Sequence, residues 1–225
     1  FILPPSREEL APMCEAVRHI REVEARAVMV SSICWGPMET AAGIRGYEDL
    51  FADVALDRAR VGHILDRVLE RKLAYWERVL DLLGDAVDVV KEADDFAGQT
   101  GLLISPDAYR TLIKPRQRDL FDFIHGHSSA RVFFHSCGAI RTVIPDLIEI
   151  GVDVLNPVQV SAARMDSREL KAEFGTELAF WGGGVDTQRV LCRGSEADVR
   201  DEVRRRLDDL MPGGGFVFSA VHNIQ

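Results

Sequence analysis

The stretch Arg131-Val132-Phe133-Phe134-His135-Ser136-Cys137-Gly138 decides how this 225-residue sequence reads. A short apolar, β-favouring run ends abruptly in an imidazole, a hydroxyl, a thiol and a glycine. A buried strand that delivers polar chemistry only at its C-terminal tip is how a parallel α/β barrel builds a site. His135 and Cys137 stand two residues apart, so in extended backbone their side chains leave on the same face. Together they offer one nitrogen and one sulfur to a single metal ion. Zinc suits that pair, and a catalytic zinc needs a third protein ligand and one open position.

Working outward, similar runs recur, and strands are expected at about 27–33, 86–91, 131–135, 152–155, 177–181 and 215–219. Helical patterns lie between them. Leu10, Met13, Cys14, Val17 and Ile20 share one face of residues 8–24. From Asp57, a good N-cap, an amphipathic run carries Val61, Leu65, Val68, Leu69, Trp76, Val79, Leu80 and Leu83 to a stop at Gly84. Ser105-Pro106 opens another helix, which Pro115 divides, and Ile140 to Ile150 follows as a further pattern. Asp166 with Glu169 forms a capping box, and Ser195 caps a final helix in which Arg204 to Arg206 reads as a solvated face. Strand-helix alternation of this kind specifies parallel crossovers, hence an α/β sheet covered by helices.

The polar groups follow nearly every strand instead of gathering at one switch point, which favours a (β/α)8 TIM barrel over a doubly wound sheet. Six strands are too few to close that barrel. The expectation is one barrel domain over residues 1–225, with the N-terminal part of the barrel missing from this chain and the C-terminus slightly incomplete.

Those strand-end groups are the candidate site. Asp94 and Asp95 are adjacent carboxylates that repel unless a cation, donor or substrate balances them, so they are candidates for proton transfer. His222 follows the last strand with no helical face to explain it. The third metal ligand stays open among Asp94, Asp95 and His222. Trp35, Gln99, Asn156 and Asp186 are candidate substrate contacts. Cys34 at the first strand tip reads as structural, and His125 and His127 as caps of a helix C-terminus.

The composition bounds the partners. With 47% hydrophobic and 28% charged residues the chain is ordinarily globular, and a net charge of -9 argues against a nucleic-acid surface. No apolar stretch reaches the roughly 18 to 20 residues of a membrane span, and the first residues lack a signal-peptide pattern. Cys14, Cys34, Cys137 and Cys192 are scattered without framework spacing, which reads as reduced thiols. A cytoplasmic protein acting on a small molecule is expected, with no nucleic-acid or membrane partner.

Four stretches then carry a family resemblance: Phe134-His-Ser-Cys-Gly138, Ile144-Pro-Asp-Leu-Ile-Glu-Ile-Gly-Val-Asp-Val-Leu-Asn-Pro157, Trp181-Gly-Gly-Gly-Val-Asp-Thr-Gln188, and Pro212-Gly-Gly-Gly-Phe-Val-Phe-Ser-Ala-Val-His-Asn-Ile-Gln225. From about residue 26 onward the chain resembles the uroporphyrinogen decarboxylase superfamily, within it the branch containing cobalamin-dependent methyltransferases. The resemblance implies a (β/α)8 barrel with its site at the strand C-termini, and a homodimer. It implies a metal-assisted methyltransferase that moves a methyl group between a small methylated substrate and a corrinoid on a partner protein.

In that branch the His-x-Cys pair supplies two zinc ligands, matching His135 and Cys137, and a later cysteine supplies the third. That cysteine would align near Gly214, where this chain has no thiol, which leaves three outcomes open: His222 as a substitute, a metal held differently, or no metal. The alternative the resemblance implies is a metal-free decarboxylase of porphyrin biosynthesis, in which a histidine after the last strand, here His222, faces the substrate.

Overall fold

The computed structural model describes residues 3–224. Six strands form one sheet in chain order: β1 (Met29–Ser31), β2 (Val89–Ala93), β3 (Arg131–His135), β4 (Val154–Asn156), β5 (Ala179–Trp181) and β6 (Phe216–Val217). All six fall on or beside the expected runs. Pairing is parallel, with Val30 opposite Val90, Leu155 opposite Phe180, and Phe180 opposite Phe216. Parallel neighbours require crossovers, and the chain supplies helices between consecutive strands. The result is an α/β fold with a six-stranded sheet, two strands short of a closed eight-stranded barrel.

The helices are α1 (Arg7–Glu22), α2 (Pro37–Arg45), α3 (Tyr47–Leu56), α4 (Arg58–Leu83), α5 (Pro106–Ala108), α6 (Lys114–His127), α7 (Ile144–Glu149), α8 (Ser167–Phe174), α9 (Val190–Arg193) and α10 (Glu196–Leu210). Their ends follow local chemistry. Ser6 with Glu9 and Ser195 with Asp198 close reciprocal capping boxes on α1 and α10. The Asp57 carboxylate accepts the Arg60 amide at the start of α4, and Gly84 follows its last turn. A π-helical turn, Tyr109–Ile113, joins α5 to α6, and Pro115 sits in the first turn of α6 where its missing N–H costs nothing.

The chain divides into two compact units. The first holds the residues up to Asp94 together with Asp107–Phe133. Its core is the apolar stripe of α4, where Val61, Leu65, Trp76, Val79 and Leu80 are buried, packed with α1, α2, α3 and α6. Each such side chain contributes about 1.5 to 3 kcal/mol of transfer free energy.

The second unit holds Asp95–Pro106 and Phe134–Gln225. Phe134, Ile144, Leu147, Leu155, Leu170, Phe180 and Leu210 are buried there. The expected helix over Ile140 to Ile150 is a 3₁₀ turn, Arg141–Val143, followed by the short α7, with Pro145 in its first turn. The expected solvated face at Arg204 to Arg206 is corrected at one residue. Arg206 is buried, and its guanidinium donates to Glu202 Oε1 at 2.7 Å and to Ser167 Oγ at 2.8 Å.

Candidate metal centre

β3 ends at His135, and the backbone after it is pinned in three places. The Ser136 amide donates to Asn156 O at 2.8 Å, the Cys137 amide to Asp95 Oδ1 at 2.7 Å, and the Gly138 amide to Gln159 Oε1 at 2.7 Å. Gly138 has φ +91, and a Cβ there would lie 2.7 Å from the carbonyl oxygens of Ala97 and Gly98. Only glycine fits that turn without displacing backbone. The turn aims the Cys137 thiol back toward the imidazole, with Sγ 3.4 Å from His135 Nε2.

Asn156 fixes the imidazole. Its Nδ2 donates to Trp181 O at 2.7 Å, which orients the amide and leaves Oδ1 facing His135 Nδ1 at 2.5 Å. A carbonyl oxygen only accepts, so Nδ1 carries the proton and Nε2 presents its lone pair. That Nε2 faces Cys137 Sγ. Metal-ligating histidines are held this way, the distal nitrogen donating to an acceptor that sets tautomer and ring angle.

His222, after β6, completes a cluster. One ligand atom from each of His135, Cys137 and His222 lies within 4.8 Å of the others. The rings of the two histidines stand 5.9 Å apart between centroids at an interplanar angle of 61°. Bonds of about 2.0 to 2.3 Å in a tetrahedral zinc site separate donor atoms by about 3.3 to 3.6 Å. The 3.4 Å between Sγ and Nε2 already matches that spacing, and the His222 donor lies within 4.8 Å of both. His135 and Cys137 are half-buried and His222 is exposed, so the donors face an open side. Three protein donors with one accessible position fit a catalytic zinc, and the residues present fit the group.

The other sequence candidates take different places. Asp95 is beside the cluster, through the Cys137 amide. Asp186 is buried, and its Oδ1 accepts the Gln188 amide at 2.8 Å, which shapes the turn before α9. Gln99 has an exposed side chain, and its carbonyl oxygen accepts the Ala163 amide at 2.8 Å. Gly214, near which the family's third thiol would align, uses its carbonyl to accept Lys171 Nζ at 2.5 Å.

Asp94 and Trp35 belong to the first unit. Trp35 is 66% exposed after β1. The Asp94 carboxylate is fully buried and accepts the amides of Met38, at 3.0 Å, and Glu39, at 3.1 Å. It therefore caps α2 from another strand's end, in place of Gly36, which has no side chain to do so. Burial pushes its carboxyl up to about 7, against the downward pull of the two amides. A Cβ on Gly36 would sit 2.2 Å from Asp94 Oδ1.

Residues without a sequence signal of their own also matter. Gln159, in the loop after β4, is buried and holds the Gly138 amide. Lys72 and Glu92 form an ion pair at 2.6 Å with both side chains essentially unexposed. Lys72 also donates to Ser32 Oγ at 2.7 Å, and Trp76 Nε1 donates to Glu92 Oε1 at 2.6 Å. This network ties α4 to the ends of β1 and β2. Lys72 has a signal in hindsight, since it lies four residues from both Val68 and Trp76 on the apolar face of α4.

Among the described residues no helix is long and apolar enough to cross a membrane. No curated protein matches the sequence. A solved methyltransferase from Methanosarcina mazei shares the fold with a TM-score of 0.72 at 20% identity, over 99% of this chain and 62% of that one. The present chain thus spans about three-fifths of that protein's length, as a partial (β/α)8 barrel. The family model for uroporphyrinogen decarboxylase (URO-D) matches residues 2–225. With that match over nearly every residue, the chain belongs to the uroporphyrinogen decarboxylase family.

Proposed function

We propose that the chain is a metal-assisted methyltransferase of this family, in which His135, Cys137 and His222 hold a zinc ion. It moves a methyl group between a small methylated substrate and a corrinoid carried by a partner protein. The observation that carries the reading is the convergence of one sulfur and two nitrogen donors within 4.8 Å, one of them held in the ligating tautomer by Asn156. The resemblance to the methyltransferase branch and the structural neighbour, itself a methyltransferase, support the reaction class.

A bound zinc supplies Lewis acidity that lowers the pKa of a coordinated donor or acceptor and holds it for transfer. The protein's own residues do the positioning. Asn156 keeps the His135 proton on Nδ1, and the Asp95 carboxylate fixes the Cys137 backbone so that the thiol faces Nε2. His222 stands on the exposed side, where a small substrate enters. Asp95 is also the proposed acid or base for any proton released near the cluster. Gln99 and Asp186, in the same unit as the cluster, remain proposed substrate contacts. A cytoplasmic homodimer of single-domain barrels is the proposed assembly.

The test follows methyl transfer from methylcobalamin to a panel of small acceptors by the change in corrinoid absorbance, using zinc-loaded chain. Transfer that is lost in Cys137→Ala and His222→Ala is the expected result. No transfer with any acceptor, together with porphyrinogen decarboxylation that persists in Cys137→Ser, replaces this reading with metal-free decarboxylation.

A further inference from the structure

Within the first unit, the tips of β1 and β2 and one side of α2 enclose a cavity of about 640 Å³ that the metal reading does not use. Strand alternation decides which side chains reach it. Along β2, Lys91 and Ala93 leave on the face opposite to Glu92. Glu92 is buried and spent on Lys72 and Trp76, and the Asp94 carboxylate that follows is spent on the first amides of α2. Neither neighbouring acid is left to neutralise Lys91. Lys91 and Ala93 both line the cavity, and the register sets Ser31 of β1 beside Lys91 on the same face.

Among the described residues the Lys91 ammonium makes no hydrogen bond and no ion pair, and it stands 6.0 Å from the centroid of the Phe133 ring. The Ser31 carbonyl accepts the Tyr75 hydroxyl, while the Ser31 hydroxyl itself has no partner among the described residues. No residue lining the cavity is acidic, so this cation is uncompensated in a chain of net charge -9. Ile33 and Trp35 supply an apolar wall. The Thr40 hydroxyl donates to Trp35 O at 3.1 Å, and the indole edge passes over Gly43, where a Cβ would lie 3.8 Å from Cζ3. A longer side chain at Gly43 would enter the space beside the ring.

We propose that this cavity binds a small aromatic carboxylate, its ring against Trp35 and its two oxygens on Lys91 Nζ and Ser31 Oγ. An ammonium and a hydroxyl on paired strands offer one donor to each oxygen, and the ammonium supplies the charge. An offset or edge-on contact with the indole adds to the apolar burial. The volume lies within the range of about 300 to 1,000 Å³ of ligand pockets, whose usual make-up is an apolar and aromatic wall with a few placed polar groups.

Four probes separate head from body in calorimetric titrations of the whole chain. 2-Naphthoate, 2-naphthalenemethanol and 2-naphthylmethylammonium share a body and differ in head, and acetate keeps the head alone. Naphthoate is expected to bind at least about tenfold more tightly than any of the other three, since a charge-assisted hydrogen bond and a buried ring each contribute about a factor of ten. Lys91→Met is expected to weaken naphthoate by about tenfold and Lys91→Arg by distinctly less, with unchanged circular dichroism. Trp35→Ala should weaken it by roughly threefold to tenfold. Gly43→Leu, at an exposed helical position, should fill the cavity and weaken binding by about tenfold or more without touching the core. Equal binding of the alcohol or the ammonium probe, an affinity indifferent to Lys91→Met, or one indifferent to Gly43→Leu would each overturn the proposal. None of these readouts depends on zinc or on methyl transfer, so they stand or fall apart from the metal site.

Discussion

At the scale of single residues, the cluster depends on one amide. Asn156 reads in the sequence as a strand-end polar group available to substrate, yet its side chain is engaged on both atoms, to His135 Nδ1 and to Trp181 O. Its contribution is to select a tautomer. Asn156→Ala should therefore lower zinc affinity by about 10- to 100-fold while leaving the three donors in place. Competition with a chromophoric chelator measures this, and an affinity within twofold of the parent would show that Asn156 does not position His135. His135, Cys137 and His222 are legible in the sequence because each lies at or just beyond an apolar run. The Asn156 contact is not, because it joins residues 21 apart in different strands and depends on the register between them.

At the scale of elements, the strand tips are tied down by groups that local pattern conceals. Helices α2 and α3 carry too mixed a sequence to show a stripe, and α2 starts where a carboxylate from another strand meets its free amides. Strands and the long α4 are legible because their periodicity reports burial directly. Lys72 breaks the α4 stripe, and its partner Glu92 sits beside a more conspicuous acidic pair. Removing one partner of a buried ion pair strands the other, at a cost of about 3 to 5 kcal/mol. Lys72→Met should destabilise the chain by that amount in urea unfolding, and Lys72→Met with Glu92→Gln by distinctly less. A double variant as unstable as the sum of the singles would show that the two residues are not coupled.

At the scale of the whole molecule, Asp94 makes stability depend on pH. Its native carboxyl titrates at about 7, against 3.8 when exposed, so between those values the native state holds a proton that the unfolded chain has released. This stabilising contribution is complete below about 4 and is lost as pH rises through about 7. Asp94→Asn keeps an oxygen for the Met38 and Glu39 amides and does not titrate. The loss of unfolding free energy between pH 5 and pH 8 should be smaller in that variant, by on the order of 1 to 3 kcal/mol. Identical pH profiles would place the Asp94 carboxyl in its ordinary range.

The fold and the family identity rest on features spread along the chain, from the strand series to the four family-like stretches. The metal reading rests on three side chains of one unit. The most direct measurement is the zinc content of chain purified without chelator. The account predicts about one equivalent per chain in the parent and background levels in a variant carrying His135→Ala, Cys137→Ala and His222→Ala. Less than about a tenth of an equivalent in the parent, or zinc retained by the triple variant, would contradict it.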